Sequence, residues 1–159
     1  SRPTYSEWAD HSNGPRPEKV VFMEEQRSLP EVRKSITQDQ INGYAAVSGD
    51  RNLIHLDPEF AATSAFGRIV AHGMLLLAFV SEMLTQAFGK SWLENGRLKV
   101  RFRAPVYPGE NVTTYGQVTK VTAENDGLRI QCTVGCRNTE MQDVITGEAS
   151  VLVADGRNN

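Results

Sequence analysis

The chain reads as an α+β domain in which a curved antiparallel β-sheet wraps around a long central α-helix. Three observations predict this. Met74 to Val80 is a run of seven apolar residues inside a helix-length stretch, Gly73 to about Phe88, and a helix apolar all round in its first turns has to be buried. After Gly96 the hydrophobic period falls to two and stays there to about residue 153, the mark of strands. Those strands are separated by short turn signals, Pro108-Gly109 and Asn125-Asp126-Gly127, and tight turns join strands antiparallel.

The elements follow in order. Residues 1 to 28 hold three of the seven prolines, with Asn13-Gly14-Pro15 and little periodicity. They are expected to form an extended arm, either packed on the body through Trp8 or Phe22 or largely disordered. Residues 29–155 form the domain and 156–159 a tail. A short first strand is expected at 31–36. Thr37-Gln38-Asp39-Gln40 is a capping box, Ile41, Tyr44, Ala45 and Ser48 follow at helical spacing, and Gly49 is a C-cap. Asp57-Pro58 starts a second short helix to about Ser64, which leaves His55 in a tight connection between two helices. The long apolar helix closes at Gly89.

In 97–104, Leu98, Val100, Phe102 and Ala104 face one way and Arg97, Lys99, Arg101 and Arg103 the other. Strands at 111–122 and 128–137 follow. The last, 143–153, puts Ile145, Gly147, Ala149, Val151 and Val153 on one face. One apolar helix is available to cover one face of the sheet, which is the hot-dog arrangement, with the short helices as an overhang. The open sheet edges of one such unit predict a homodimer or higher homo-oligomer.

Composition narrows the function. A chain of 159 residues with 40% apolar and 23% charged residues fits one globular domain. A net charge of −2 argues against nucleic acid as a partner. The longest apolar run is far short of the roughly 20 residues that a bilayer crossing needs. No basic region followed by an apolar stretch opens the sequence, so no secretion signal and a cytoplasmic location are expected. Cys132 and Cys136 lie four apart in a strand, roughly 13 Å, too far to bridge. They read as small buried residues of a reducing compartment.

The chemistry concentrates in Ser48-Gly49-Asp50-Arg51-Asn52-Leu53-Ile54-His55. A carboxylate and an imidazole five residues apart can converge on one water molecule. Further on, His72-Gly73-Met74 opens the apolar helix, and the Gly73 amide at that N-terminus can hold a developing oxyanion. Base, acid and oxyanion donor together suit addition of water to an acyl thioester, or its removal. Only the first turn of the helix, at Met74, is expected to touch the acyl thioester. Arg101 and Arg103, in the basic stripe, could meet the phosphates of coenzyme A, or the stripe could be a solvated strand face. His72 is expected to be structural or capping. HExxH, calcium-loop, Walker and GxGxxG patterns are all missing, so neither a metal nor a cofactor is expected.

The stretch Tyr44-Ala-Ala-Val-Ser-Gly-Asp50-Arg-Asn52-Leu-Ile-His55-Leu-Asp-Pro-Glu-Phe-Ala61-Ala62, with Ala71-His72-Gly73-Met74, resembles the hydratase motif of the MaoC-like family. The best-known members are (R)-specific enoyl-CoA hydratases. Phe102-Arg-Ala-Pro-Val-Tyr-Pro-Gly-Glu110 resembles the segment after the family's central helix. The resemblance covers residues 31 to 153 and implies a catalytic Asp50 and His55, Asn52 holding the loop, the Gly73 amide as oxyanion donor, and Ser81 as a pocket serine. It implies reversible hydration of trans-2-enoyl-CoA to an (R)-3-hydroxyacyl-CoA. One departure is Leu53, where the family usually has proline. Two other functions fit the same fold class: thioester hydrolysis by the same water-activating pair, and a non-catalytic acyl-CoA-binding module.

Overall fold

The computed structural model describes residues 25–154. The expected arm therefore lies outside the described residues up to Glu24, Trp8 and Phe22 included, as does the tail. The arm's last residues run along the sheet edge: the Gln26 and Leu29 amides donate to the carbonyls of Val118 and Gly116 at 2.7 and 2.8 Å.

Ten elements follow: β1 Arg33–Ser35, α1 Gln38–Ser48, α2 Leu53–Leu56, α3 Pro58–Thr63, α4 Gly73–Phe88, α5 Lys90–Asn95, β2 Arg97–Phe102, β3 Asn111–Glu124, β4 Gly127–Arg137 and β5 Asp143–Ala154. The five strands make one antiparallel sheet in the order β1-β3-β4-β5-β2. Register aligns the inner face in rows. Val118, Cys132, Ala149 and Leu98 form one row, and Thr114, Cys136, Ile145 and Phe102 another. α4 lies across them, burying Leu76, Phe79, Val80, Met83, Leu84 and Phe88. A helix with a single polar edge can satisfy a curved sheet only by sitting inside the curve.

The sequence signals at element ends hold. Thr37 caps α1 through the Gln40 amide, with the Gln40 side chain returning to the Thr37 amide, and Gly49 ends the helix at φ 80°. A residue with a Cβ is strained in that left-handed conformation, so Gly49 permits the reversal that delivers Asp50. Asp57 caps α3, with Pro58 at its first position.

Three features differ from expectation. His55 lies within a one-turn helix, α2, capped by the Asn52 side chain on the Ile54 amide. A second short helix, α5, follows Gly89 and buries Trp92. Both are too short to show a hydrophobic period. Phe102, expected in the core, is 52% exposed, because β2 is an edge strand whose last residue meets α4 only at its first residue, Gly73.

Cys132 and Cys136 are buried and unpaired, and burial pushes both thiols up to about 12. They are therefore uncharged at ordinary pH and out of reach of reagents. A thiol-reactive dye at pH 8 is expected to label neither in the folded protein and both, together, on denaturation. Labelling of either before unfolding would contradict this placement.

Candidate active site

Three segments meet at the site, each fixed by its own local chemistry. The first is the loop after α1. Here the Asp50 amide donates to Ser48 Oγ, and Asp50 Oδ1 accepts from the Asn52 amide, both at 3.2 Å. The Asn52 side-chain oxygen caps α2, so Asn52 shapes the loop and meets the Asp50 carboxylate only through its backbone amide.

The second segment is α2 itself. The His55 ring is buried, and its Nδ1 is 2.6 Å from the carbonyl oxygen of Val70. A carbonyl accepts only, so Nδ1 carries a proton, and the lone pair of Nε2 points into the site. Gln38, the first residue of α1, donates to the His55 carbonyl at 3.0 Å. The Val70 carbonyl therefore fixes the ring and Gln38 the backbone beside it.

The third segment is 70–74. It is anchored by the Ala71 amide on the Val106 carbonyl at 2.8 Å and by the Val70 amide on the Ile54 carbonyl at 3.2 Å. His72 occupies the N-cap position of α4 but makes no side-chain cap. Its Nε2 donates instead to the Asp50 carbonyl oxygen at 3.0 Å. Its ring stacks on that of His55, with centroids 3.8 Å apart and planes at 26°. Tyr44 covers it with ring centroids 4.8 Å apart. Of the two roles expected of His72, structural or capping, only the capping one is corrected: the imidazole turns away from the helix toward the loop.

His55 Nε2 and Asp50 Oδ2 end up 4.0 Å apart. The gap is too long for a hydrogen bond and right for a bridging water: hydrogen bonds of about 2.8 Å to each atom close a triangle with an angle of about 90° at the oxygen. Beside this pair α4 begins. Among the described residues nothing accepts from the amides of Gly73 and Met74, whereas those of Leu75 and Leu76 turn back to the His72 carbonyl. Two open donors at a helix N-terminus form a partial positive charge aimed outward. Phe102 Cε1 would lie 2.9 Å from a Cβ at Gly73, so the glycine lets this ring pack directly against the backbone.

The remaining predicted residues are placed as follows. Met74 is 56% exposed, next to Gly73. Ser81 lies two turns further along α4, roughly 12 Å on, and its Oγ accepts from the Trp92 indole N–H at 3.1 Å. Arg101 and Arg103 are exposed on either side of Phe102, and the Arg103 guanidinium donates to Thr146 Oγ1 at 2.9 Å. The sequence missed the Val70 carbonyl and the His55–His72 stack. A backbone acceptor leaves no trace in residue types, and nothing local links position 72 to position 50.

The donor atoms of Asp50, His55 and His72 lie within 4.8 Å of one another, which invites a test for a metal. Two rings stacked at 26° project their in-plane lone pairs side by side, not toward a common point. An ion about 2.1 Å from a nitrogen of each would sit far out of both ring planes. With His72 Nε2 and His55 Nδ1 already on carbonyls, the set fits a water site better than a tetrahedral metal site.

Known proteins resemble this chain in sequence and in fold. A 3-hydroxybutyryl-CoA dehydratase of Methylorubrum extorquens is 31% identical over 137 residues, 85% of each chain. The (R)-specific enoyl-CoA hydratase of Aeromonas caviae is 35% identical over 113 residues, 70% of this chain and 82% of that one. The solved structure of the A. caviae (R)-hydratase involved in PHA biosynthesis superposes with a TM-score of 0.70 at 30% identity. It covers 82% of this chain and 96% of its own. The model of the MaoC-like domain matches residues 21–141. With its curved sheet, buried helix and Asp50/His55 overhang, this chain belongs to the MaoC-like family and has the hot-dog fold.

Proposed function

We propose that this protein is a hydro-lyase that interconverts trans-2-enoyl-CoA and (R)-3-hydroxyacyl-CoA. The observation that carries the reading is the 4.0 Å gap between His55 Nε2 and Asp50 Oδ2, beside unbonded amides at the start of α4. In hydration the water held in the gap attacks Cβ while Nε2 takes one of its protons. The electron pair of the double bond moves onto the thioester oxygen, which the Gly73 amide receives as an enolate. The imidazolium then returns the proton to Cα as the carbonyl re-forms. Oxygen and hydrogen both come from the side of the catalytic pair, so addition is syn. Asp50 orients the water and faces the transient positive charge. The names of the relatives, a dehydratase and an (R)-specific hydratase, support this class.

No cofactor is needed in this scheme, since every proton is handled by this chain and the coenzyme A belongs to the substrate. Ser81 is proposed to line the acyl pocket, and Met74 to meet the thioester. Arg101 and Arg103 are proposed as contacts for the coenzyme A phosphates: they flank Phe102, whose ring lies against Gly73. Among the described residues no helix is long and apolar enough to cross a membrane. Two unpaired thiols suit a reducing compartment such as the cytoplasm.

The pair is tested by substitution. Asp50→Asn and His55→Gln each preserve volume while removing one partner of the water, and each is expected to lower kcat at least about 100-fold. The readout is loss of the conjugated enoyl-thioester absorbance. Near-normal turnover in either folded variant would sink the assignment. Release of free thiol instead of loss of the double bond would point to the hydrolytic reading.

Gly73 separates the backbone donor from the side chains. A Cβ there meets the ring edge of a half-exposed Phe102, which can swing aside. Gly73→Ala should therefore fold, with kcat about 10- to 100-fold lower as the amide shifts. Gly73→Val should abolish activity. A fully active, folded Gly73→Val protein would remove this amide from the mechanism.

A second copy of the chain is proposed to complete the site. Among the described residues no strand pairs with the outer side of β2. Phe102, Met74 and Leu53 are exposed, and so is half of the Asp50 side chain. A homodimer joined at β2 would give each sheet a neighbour and bring a partner over this apolar rim. Light scattering is expected to give twice the chain mass at micromolar concentration. An active monomer there would contradict it.

A further inference from the structure

We propose that His72 is a positioning residue that sets the Asp50–His55 geometry, an inference that rests on the hydration reading. Asp50 stands just after Gly49 at φ 80°, and its side chain is half exposed, so little holds it by packing. Its other two hydrogen bonds, donated to Ser48 Oγ and accepted from the Asn52 amide, lie within the same loop. They fix the loop's shape but not its place on the body.

Among the described residues, the one hydrogen bond that ties Asp50 to the body of the domain is from His72 Nε2 to its carbonyl, across 22 residues. The same imidazole lies flat against His55 at 3.8 Å. One ring therefore sets the height of the carboxylate and backs the imidazole that shares its water.

The burial of His72 supports a specific role. The residue is 1% exposed, and its Nδ1 is a buried nitrogen with no partner among the described residues. A ring kept only to fill space would be more stable as a hydrocarbon, since an unsatisfied buried nitrogen is destabilising. Phenylalanine would keep the stacking face but leave the Asp50 carbonyl without its donor. Glutamine would keep a donor but lose the face. The imidazole supplies both.

The test uses the full-length protein with a trans-2-enoyl-CoA substrate. His72→Phe is expected to lower kcat about 100-fold, the cost of a misplacement of about 1 Å. Its KM should stay within about 2-fold of wild type, because ground-state contacts to the acyl chain are untouched. His72→Gln should recover about 10-fold of that loss, through its retained donor. Wild-type kcat in a folded His72→Phe variant overturns the proposal, as does an equal rise of KM in both variants with kcat unchanged.

Nitrogen-15 NMR of the wild-type imidazoles gives a second, independent reading even if the variants fail to fold. The expected spectrum has His72 as the Nε2–H form and His55 as the Nδ1–H form. An Nδ1–H signal at His72 removes the tether. A wild-type protein without hydratase activity would defeat the functional reading, while the NMR result would still decide the tether.

Discussion

The buried hydrogen bond from His55 Nδ1 to the Val70 carbonyl is the constraint on which the rest of the site depends. At 2.6 Å it selects the ring form in which Nε2 holds a lone pair, and it pins α2 to the segment that leads into α4. Without it the imidazole could rotate, and Nε2 would lose its bearing on Asp50. The bond is possible because the Val70 amide pairs with the Ile54 carbonyl while the Ala71 amide pairs with Val106. The 70–74 strip is thus held to the overhang on one side and to the chain beyond β2 on the other. The geometry of the candidate site is an extension of ordinary backbone pairing, and a buried polar network of this kind stays rigid only when its members are matched.

That rigidity comes from the core. α4 is fixed against the inner rows of the sheet by Leu76, Val80, Met83 and Leu84, each almost fully buried. A close-packed interior transmits position with little slack. The N-terminus of α4 is therefore a fixed point, and Gly73 inherits its position from residues one to three turns away. The overhang is held by hydrogen bonds at its ends, the sheet and helix by apolar contact. Substrate-facing loops in other folds often combine the same two modes, a packed scaffold and polar anchors.

Much of this was legible in the sequence because the signals were local. The capping box at Thr37 and Gln40, the αL glycine at 49 and the Asp57-Pro58 start each act within a few residues, and each appears where expected. The period of two after Gly96 located β2 to β5 to within one or two residues. α2 and α5 escaped because four or six residues cannot display a helical period. Asp50, His55 and Gly73 could be named as chemistry from their types and spacing. Their mutual placement could not, because it depends on Val70 and His72, whose contacts span 15 and 22 residues. Phe102 was assigned to the core from its parity in β2. Parity gives the face of a strand, and the reach of the covering helix decides whether that face is dry.

The start of α4 shows what the site forgoes in stability. A helix N-terminus is ordinarily stabilised by a side-chain cap, worth about 1 kcal/mol, and by an acidic residue in the first turn, worth about 0.3–1 kcal/mol. α4 has neither: His72 makes no cap, and no acidic residue lies in its first turn. α1, by comparison, has a full capping box and Asp39. A cap or a carboxylate at α4 would occupy the amides of Gly73 and Met74 and cancel the partial positive charge they present. Leaving them open costs the free protein, and the proposed enolate is the anion that would recover the interaction. Differential stabilisation of this kind lowers a barrier, because the donors are satisfied more fully by the charged transition state than by the resting protein.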